Sequence, residues 1–360
     1  MNAPAPPLGV AFVLASFAGG GAERVLLNLA RALPPERFAV RLVVLDGRGP
    51  LAALVPAGMP ADALARPRLR GALLPLAAAL RRARPDAVVS TLGYLNLALL
   101  GLRPLLHRPV RLVVREANMP AATLAAMPWP GAARLAYRRL YPAADAVLAP
   151  SHAVARALAG AAGLAASAIR VLPNPVDVAA IRAAAAPVRY PGPGRRLVAA
   201  GRLVPQKGFD RLVRAAAALG SDDRLTILGE GPERAALAAL AASLGVADRV
   251  AMPGFLPLPW PHLAGADALV VPSRWEGMPN AALEALACGT PVVATAESGG
   301  LAELAAEAPP GAVAVVPAAG LASALAAVRP APAAALRASL LPPRYGLEAA
   351  AAAFAAVLAP

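Results

Sequence analysis

Short apolar runs alternate with segments of helical spacing along nearly the whole chain. In the first half the runs are GVAFVLASF, FAVRLVVLD, PDAVVSTLG, VRLVVREAN and ADAVLAPS. In the second half they are RRLVAAGRL, DRLTILGEG, DRVAMPGFL, ADALVVPSR, TPVVATAES and GAVAVVPA. Among the intervening stretches, AGGGAERVLLNLARAL, GFDRLVRAAAAL, PERAALAALAASLGV and MPNAALEALACG read as helices. Runs with little polar alternation predict strands buried on both faces, hence parallel sheets covered by helices. The pattern occurs twice, so it predicts an α/β fold of two doubly wound, Rossmann-like domains. Proline and glycine concentrate in PNPVDVAAIRAAAAPVRYPGPG, Pro173 to Gly194, where the join is expected. The predicted division is 1–185, 186–345 and a last stretch, 346–360, whose helix at about Leu347 to Leu358 could pack on either domain or cross back to the first.

Composition fits that division. A chain of 360 residues is natural for two domains, and 58% hydrophobic residues supply two cores. The net charge is +14, with Arg66-Arg68-Arg70, Arg81-Arg82-Arg84, Arg103 to Arg115 and Arg134-Arg138-Arg139 all in the first half. Such a field attracts phosphates and anionic surfaces. Aromatic residues are only 4%, few for the stacking that single-stranded nucleic acid needs; the clusters read first as a solvated basic face and, among specific roles, as a membrane-surface contact rather than a nucleic-acid one. Cys288 is the sole cysteine, which rules out an intrachain disulfide and fits a reducing compartment. The start, MNAPAPPLGVAFVLASFAGGGA, has no basic residue before Arg24 and reads as a proline-rich tail followed by a buried strand. Ala308 to Val328 is uncharged, but its prolines and glycines fit strand, turn and helix better than a membrane span. A cytoplasmic protein, peripheral at the inner membrane face, is expected.

Ligands of doubly wound sheets bind beyond the carboxyl ends of the strands, so the residues there carry the chemistry. After the first run comes Gly19-Gly20-Gly21 at the start of a helix, where free N–H groups suit an anion. The second run ends at Asp46, where a dinucleotide fold would hold a ribose. That pair is the case for an NAD-dependent oxidoreductase, weakened because Arg24 stands where the last glycine of G-x-G-x-x-G belongs. VAAGRLVPQKGFDRLV sets Arg202 and Lys207, the only lysine of the chain, between a strand and a helix. Two cations near one helix N-terminus make sense with a diphosphate between them. RLTILGEGPE then offers Gly229-Glu230-Gly231 to a flat base, a phosphate or a plain turn. In VVPSRWEGMPNAALEALACGTPVVAT, Glu276 precedes Gly277, Met278 and Pro279, and Asn280 and Glu284 share a helix face, so two carboxylates come to one end of the helix. They could work as acid and base or bind sugar hydroxyls. ESGGLAEL repeats a glycine pair, Gly299-Gly300, after a strand.

These stretches, together with GGAERVLLNLARAL, VLPNPVD and LGEGPER, resemble the large retaining glycosyltransferase family 4, the E-x7-E enzymes of the GT-B fold, over nearly the whole chain. The resemblance implies transfer of a sugar from a nucleoside-diphosphate sugar to a glycan or lipid-linked acceptor, with retention, in envelope polysaccharide or glycolipid synthesis. It implies that Arg202 and Lys207 neutralise the leaving diphosphate, Glu276 binds sugar hydroxyls and Glu284 binds ribose hydroxyls. It further implies that the Gly277 to Asn280 backbone faces sugar and phosphate, that Gly20 and Gly21 lie near the phosphates across a cleft, and that Glu230 and Phe255 lie near the base. Such enzymes use no metal and no cofactor, since cations and helix N-termini stabilise the leaving group.

Two features depart from the family pattern. Many members carry a histidine in the first-domain loop that reaches the donor sugar; here VVREANMP offers Arg115, Glu116 and Asn118, of which Arg115 and Asn118 are the candidates. His107, His152 and His262 lie elsewhere and read as structural. Asn174-Pro175 replaces an Asn-Gly pair and would stiffen a hinge. A related GT-B class binds pyridoxal phosphate on a lysine, for which only Lys207 is present, in a context that better suits a phosphate clamp. The remaining alternative is a non-catalytic protein that binds nucleotides or a membrane surface.

Overall fold

A computed structural model describes residues 6–106, 109–190, 192–331 and 335–359. Pro4 and His107 lie outside the described residues. The chain forms two compact units, Met1–Pro175 with Leu347–Pro360, and Val176–Gly346. The boundary falls ahead of the predicted 185/186, because the helix Val178–Ala184 buries Ile181 in the core of the second unit.

The first unit holds a seven-stranded parallel sheet. Its strands are β1 (Leu8–Ser16), β2 (Phe38–Asp46), β3 (Ala61–Ala63), β4 (Ala87–Thr91), β5 (Arg111–Arg115), β6 (Ala146–Ala149) and β7 (Ile169–Val171), in the order β3-β2-β1-β4-β5-β6-β7. Phe12 and Leu14 of β1 face one helical layer, while Ala11 and Val13 face the other, as a sheet covered on both sides requires. The helix Leu347–Leu358 packs in the first of these layers, with Phe354 5.8 Å from the Phe12 ring. β3 and β7 have three residues each and were invisible to a pattern that needs longer runs.

The second unit has a six-stranded parallel sheet: β8 (Arg196–Ala200), β9 (Arg224–Leu228), β10 (Val250–Gly254), β11 (Ala268–Val271), β12 (Val292–Thr295) and β13 (Val313–Val316). The order is β10-β9-β8-β11-β12-β13. Every strand lies in one of the six apolar runs read from the second half. In this order the chain leaves β8 toward one edge and returns to its other side at β11. The crevice beyond the carboxyl ends of β8 and β11 is therefore the switch point, where doubly wound sheets bind ligands. At the opposite ends of the same two strands, Arg196 forms a buried ion pair with Asp267, whose Oδ1 also accepts from Ala331 N at 2.7 Å. That pair holds the two strands in register at the closed end and leaves the open end for chemistry.

Ala308 to Val328 folds as β13, a turn and the helix Leu321–Ala326. Among the described residues no helix is long and apolar enough to cross a membrane. Cys288 is buried, and burial pushes its thiol up to about 12.

Candidate active site

Two loops meet at the switch point of the second unit. The first follows β8 and makes a single turn, Pro205–Lys207, before the helix Phe209–Ala216. Gly208 joins them at φ 64°, and a Cβ there would collide with the Pro272 carbonyl oxygen, so the position requires glycine. The second loop follows β11 and carries Ser273, Arg274, Trp275 and Glu276 to the helix Asn280–Ala287.

Lys207 and Glu276 are brought together. Lys207 Nζ lies 2.5 Å from Glu276 Oε1, and Ser273 Oγ donates to the same oxygen at 2.9 Å. Glu276 is only 6% exposed, so the lysine and the hydroxyl offset much of the cost of burying its charge. Several bonds fasten the loops side by side. Arg274 N donates to Gln206 O at 2.8 Å, Arg274 Nη1 to Pro205 O at 2.9 Å, and Gln206 Nε2 to Trp275 O at 3.0 Å. Arg274 also grips Asp210 with both guanidinium nitrogens, at 2.8 and 2.7 Å. That grip holds the Asp210 carboxyl below its usual range. From beneath, Thr295 Oγ1 donates to Ser273 O at 2.8 Å and Ser298 Oγ to Val271 O at 3.0 Å. Gly299, at φ 67°, lies so close that a Cβ would strike the Glu276 carbonyl oxygen.

Other expected residues stand along the same sheet end. Arg202 follows β8 and is exposed. Glu230 follows β9 and pairs with Arg234 at 2.9 Å. Phe255 follows β10 and is half exposed. The strand order therefore sets Phe255, Glu230, the Arg202–Lys207 segment and Glu276 in a row. It runs over four adjacent strands, about 14 Å at the usual strand spacing. Gly277 O accepts from Gly300 N at 2.9 Å, Met278 is buried in the core, and Pro279 occupies the position before the helix. Asn280 begins the helix. Glu284 lies one turn further in, about 6 Å along the axis from Asn280. Trp260 Nε1 donates to Glu284 Oε2 at 3.1 Å. Ser273, Arg274 and Asp210 were not expected from the sequence.

In the first unit, Gly20 caps the helix Gly21–Ala32, and the Glu23 carboxylate folds back so closely that a Cβ on Gly20 would strike it. Asp46 is held by Arg48 in an exposed two-point pair at 2.9 and 2.7 Å. Arg115 is 1% exposed and donates through Nη2 to Asn174, so it is a wall of the core, not a group that reaches out to a sugar. Burial lowers its guanidinium to about 10. Glu116, equally buried, accepts from Tyr137 and Tyr141 hydroxyls at 2.9 and 2.7 Å. Burial pushes its carboxyl up to about 7, against the pull of those two hydroxyls, the Ala117 amide and Arg115. Asn118 Oδ1 accepts from Met119 N at 2.8 Å, at the entry to the helix Pro120–Ala125. His152 opens the helix His152–Ala162, and His262 Nδ1 lies 2.9 Å from Tyr190 Oη.

Two doubly wound parallel sheets, the second with charged loops at its switch point, define the GT-B class of sugar-transfer folds. Residues 19–180 match the model of Glycosyltransferase Family 4, and residues 186–329 match that of Glycosyl transferases group 1. The chain belongs to this glycosyltransferase family. It is similar to the lipopolysaccharide core biosynthesis glycosyltransferase LpsE of Rhizobium meliloti, 43% identical over 99 residues, 28% of this chain and 29% of that one. It is also similar to the 2-deoxystreptamine glucosyltransferase of Streptomyces kanamyceticus, 35% identical over 154 residues, 39% and 40% of the two chains. The chain thus spans well under half the length of these curated relatives. Among solved structures, Anabaena Alr3699/HepE in complex with UDP superposes with a TM-score of 0.66, at 18% identity, over 97% of this chain and 95% of that one.

Proposed function

We propose that the protein transfers a sugar from a nucleoside-diphosphate sugar to a glycan or lipid-linked acceptor of the cell envelope. The Lys207–Glu276 pair at the switch point of the second sheet carries this reading. A cation and a carboxylate side by side match the two chemistries of the donor, a diphosphate and a ring of hydroxyls. The row on the sheet end continues the match: an aromatic ring at Phe255 for a base, cations at Arg202 and Lys207 for phosphates, a carboxylate at Glu276 for sugar hydroxyls. Glu284 would take the ribose. HepE is seen in complex with UDP, and the curated relatives are named for lipopolysaccharide core biosynthesis and for glucosyl transfer, which supports the same assignment here.

In the transition state the bond from the anomeric carbon to the β-phosphate oxygen breaks, and negative charge builds on the diphosphate. Lys207 and Arg202 stabilise that charge without a metal or a cofactor. The acceptor hydroxyl attacks from the face the diphosphate leaves, giving its proton to the departing phosphate oxygen, so the anomeric configuration is retained. The reaction takes place on the cytoplasmic side, at the membrane face where lipid-linked acceptors are offered.

Incubation with a panel of nucleoside-diphosphate sugars and mass spectrometry tests the reading. One donor should be consumed, EDTA should not change the rate, and the product should keep the donor's anomeric configuration by NMR. Lys207→Arg should lower turnover on the order of a hundredfold, because the forked guanidinium cannot replace a compact point charge. If no donor is bound or consumed, or if Lys207→Arg turns over normally, the assignment fails.

A further inference from the structure

The segment from Met127 to Arg139 joins exposed apolar side chains to a cluster of exposed arginines. Trp129 stands between two prolines and is 78% exposed, the most exposed of the large hydrophobic side chains described. The helix Pro130–Leu140 follows at once. Its inward side carries Ala133, Ala136, Tyr137 and Leu140, of which Tyr137 is fully buried. Its outward side carries Arg134, Leu135, Arg138 and Arg139, all exposed. None of these three arginines forms an ion pair among the described residues. Between Glu116 and Asp145 the sequence has no acidic residue.

We infer that this face docks on an anionic bilayer through Trp129, Leu135 and the arginines 134, 138 and 139. Tryptophan partitions to the boundary between headgroups and acyl chains. Arginine lays its apolar stem along that boundary while its guanidinium stays with the phosphates. A soluble protein partner would be served by charges of both signs and a broader apolar patch; one ring, one leucine and three unpaired cations on a single turn-and-helix suit a plane of negative charge. A flanking Pro128 and Pro130 hold the tryptophan outward with little conformational freedom to lose. The inference deepens the reading of a membrane-borne acceptor and rests on it for its purpose, but binding to lipid can be measured without donor or acceptor.

The full chain is sedimented with vesicles of phosphatidylcholine alone and of phosphatidylcholine with phosphatidylglycerol, at low and at high salt. The protein should pellet with the anionic vesicles, much less at high salt, and hardly at all with the neutral ones. Replacing Arg134, Arg138 and Arg139 by Gln should weaken partitioning on the order of a hundredfold, and Trp129→Ala severalfold. Both variants should melt as the parent does, since the altered side chains face outward. Failure of the parent to bind, equal binding to neutral vesicles, or full binding by the Gln variant would each overturn the inference. None of these results touches the donor assay, so a failed surface and a failed activity are told apart.

Discussion

Lys207 and Glu276 neutralise each other across 2.5 Å, and this has a consequence for donor binding. A diphosphate that enters must share the lysine with the carboxylate, and its own charge is repelled by Glu276. Sugar hydroxyls relieve the conflict by satisfying the carboxylate; a bare nucleoside diphosphate cannot. Glu276→Gln keeps an acceptor for Ser273 but removes the negative charge. It should therefore bind nucleoside diphosphate more tightly, on the order of tenfold, or about 1.4 kcal/mol, while sugar transfer falls steeply. Isothermal titration of the two proteins with the diphosphate decides this; equal or weaker binding by the variant would show that the pair does not compete with phosphate. Lys207 stood out in the sequence as the only lysine, and Glu276 by its spacing to Glu284; the structure adds that Lys207 and Glu276 meet. Arg274 and Asp210 were not: their pairing joins positions 64 residues apart, and one more arginine among 35 basic residues carries no local signal. Arg115 misled for the opposite reason, since a charge after a strand reads as exposed until the packing around it is seen.

Elements were read more fully than contacts. All six strands of the second sheet lie within apolar runs, and the final helix spans the predicted residues. What a run cannot show is which polar groups fold inward with it. The Glu116 cluster is such a case: Ser90 Oγ donates to Asn96 Oδ1 at 2.7 Å, Asn96 Nδ2 to Tyr141 Oη at 3.1 Å and to Arg115 O at 3.0 Å, and both tyrosines donate to Glu116. These groups tie β4, β5 and the helices Gly93–Gly101 and Pro130–Leu140 together. Because burial raises the Glu116 carboxyl from 4.5 to about 7, the folded protein holds a proton there that the unfolded chain has lost. Between those two values the folded state binds more protons, so this group's contribution to stability falls as pH rises from about 4.5 to 7 and levels off above. Glu116→Gln, which cannot ionise and can still accept from the tyrosines, should remove that slope. The parent should lose on the order of 3 kcal/mol relative to the variant across that window, read as a difference in urea midpoints at pH 5 and pH 8. Parallel curves for the two proteins would show that Glu116 ionises in the folded state as it does in water.

At the scale of the molecule, the course of the chain matters as much as either sheet. The polypeptide builds the first unit, then the whole second unit, and returns to the first with its last helix, Leu347–Leu358. That helix is mostly alanine and has little amphipathic pattern of its own, so its place is set by burial. Ala350, Ala351, Phe354, Ala355, Val357 and Leu358 enter the layer formed by β1 and the helix Gly21–Ala32. Arg111 Nε adds a bond to Val357 O at 3.0 Å from the start of β5. Phe354 is the one large ring in the set and meets Phe12 in a tilted contact. Its removal should leave a cavity that alanine-rich neighbours cannot refill. Phe354→Ala should therefore cost the first unit about 3 to 5 kcal/mol, although it changes a residue only six positions before the last one. Hydrogen exchange locates the effect: amides of β1 and β2 should lose protection, while those of β8 and β11, in the other unit, should keep theirs. Equal loss in both sheets would mean that the units unfold as one. No loss in β1 would mean that the final helix is not part of the first core.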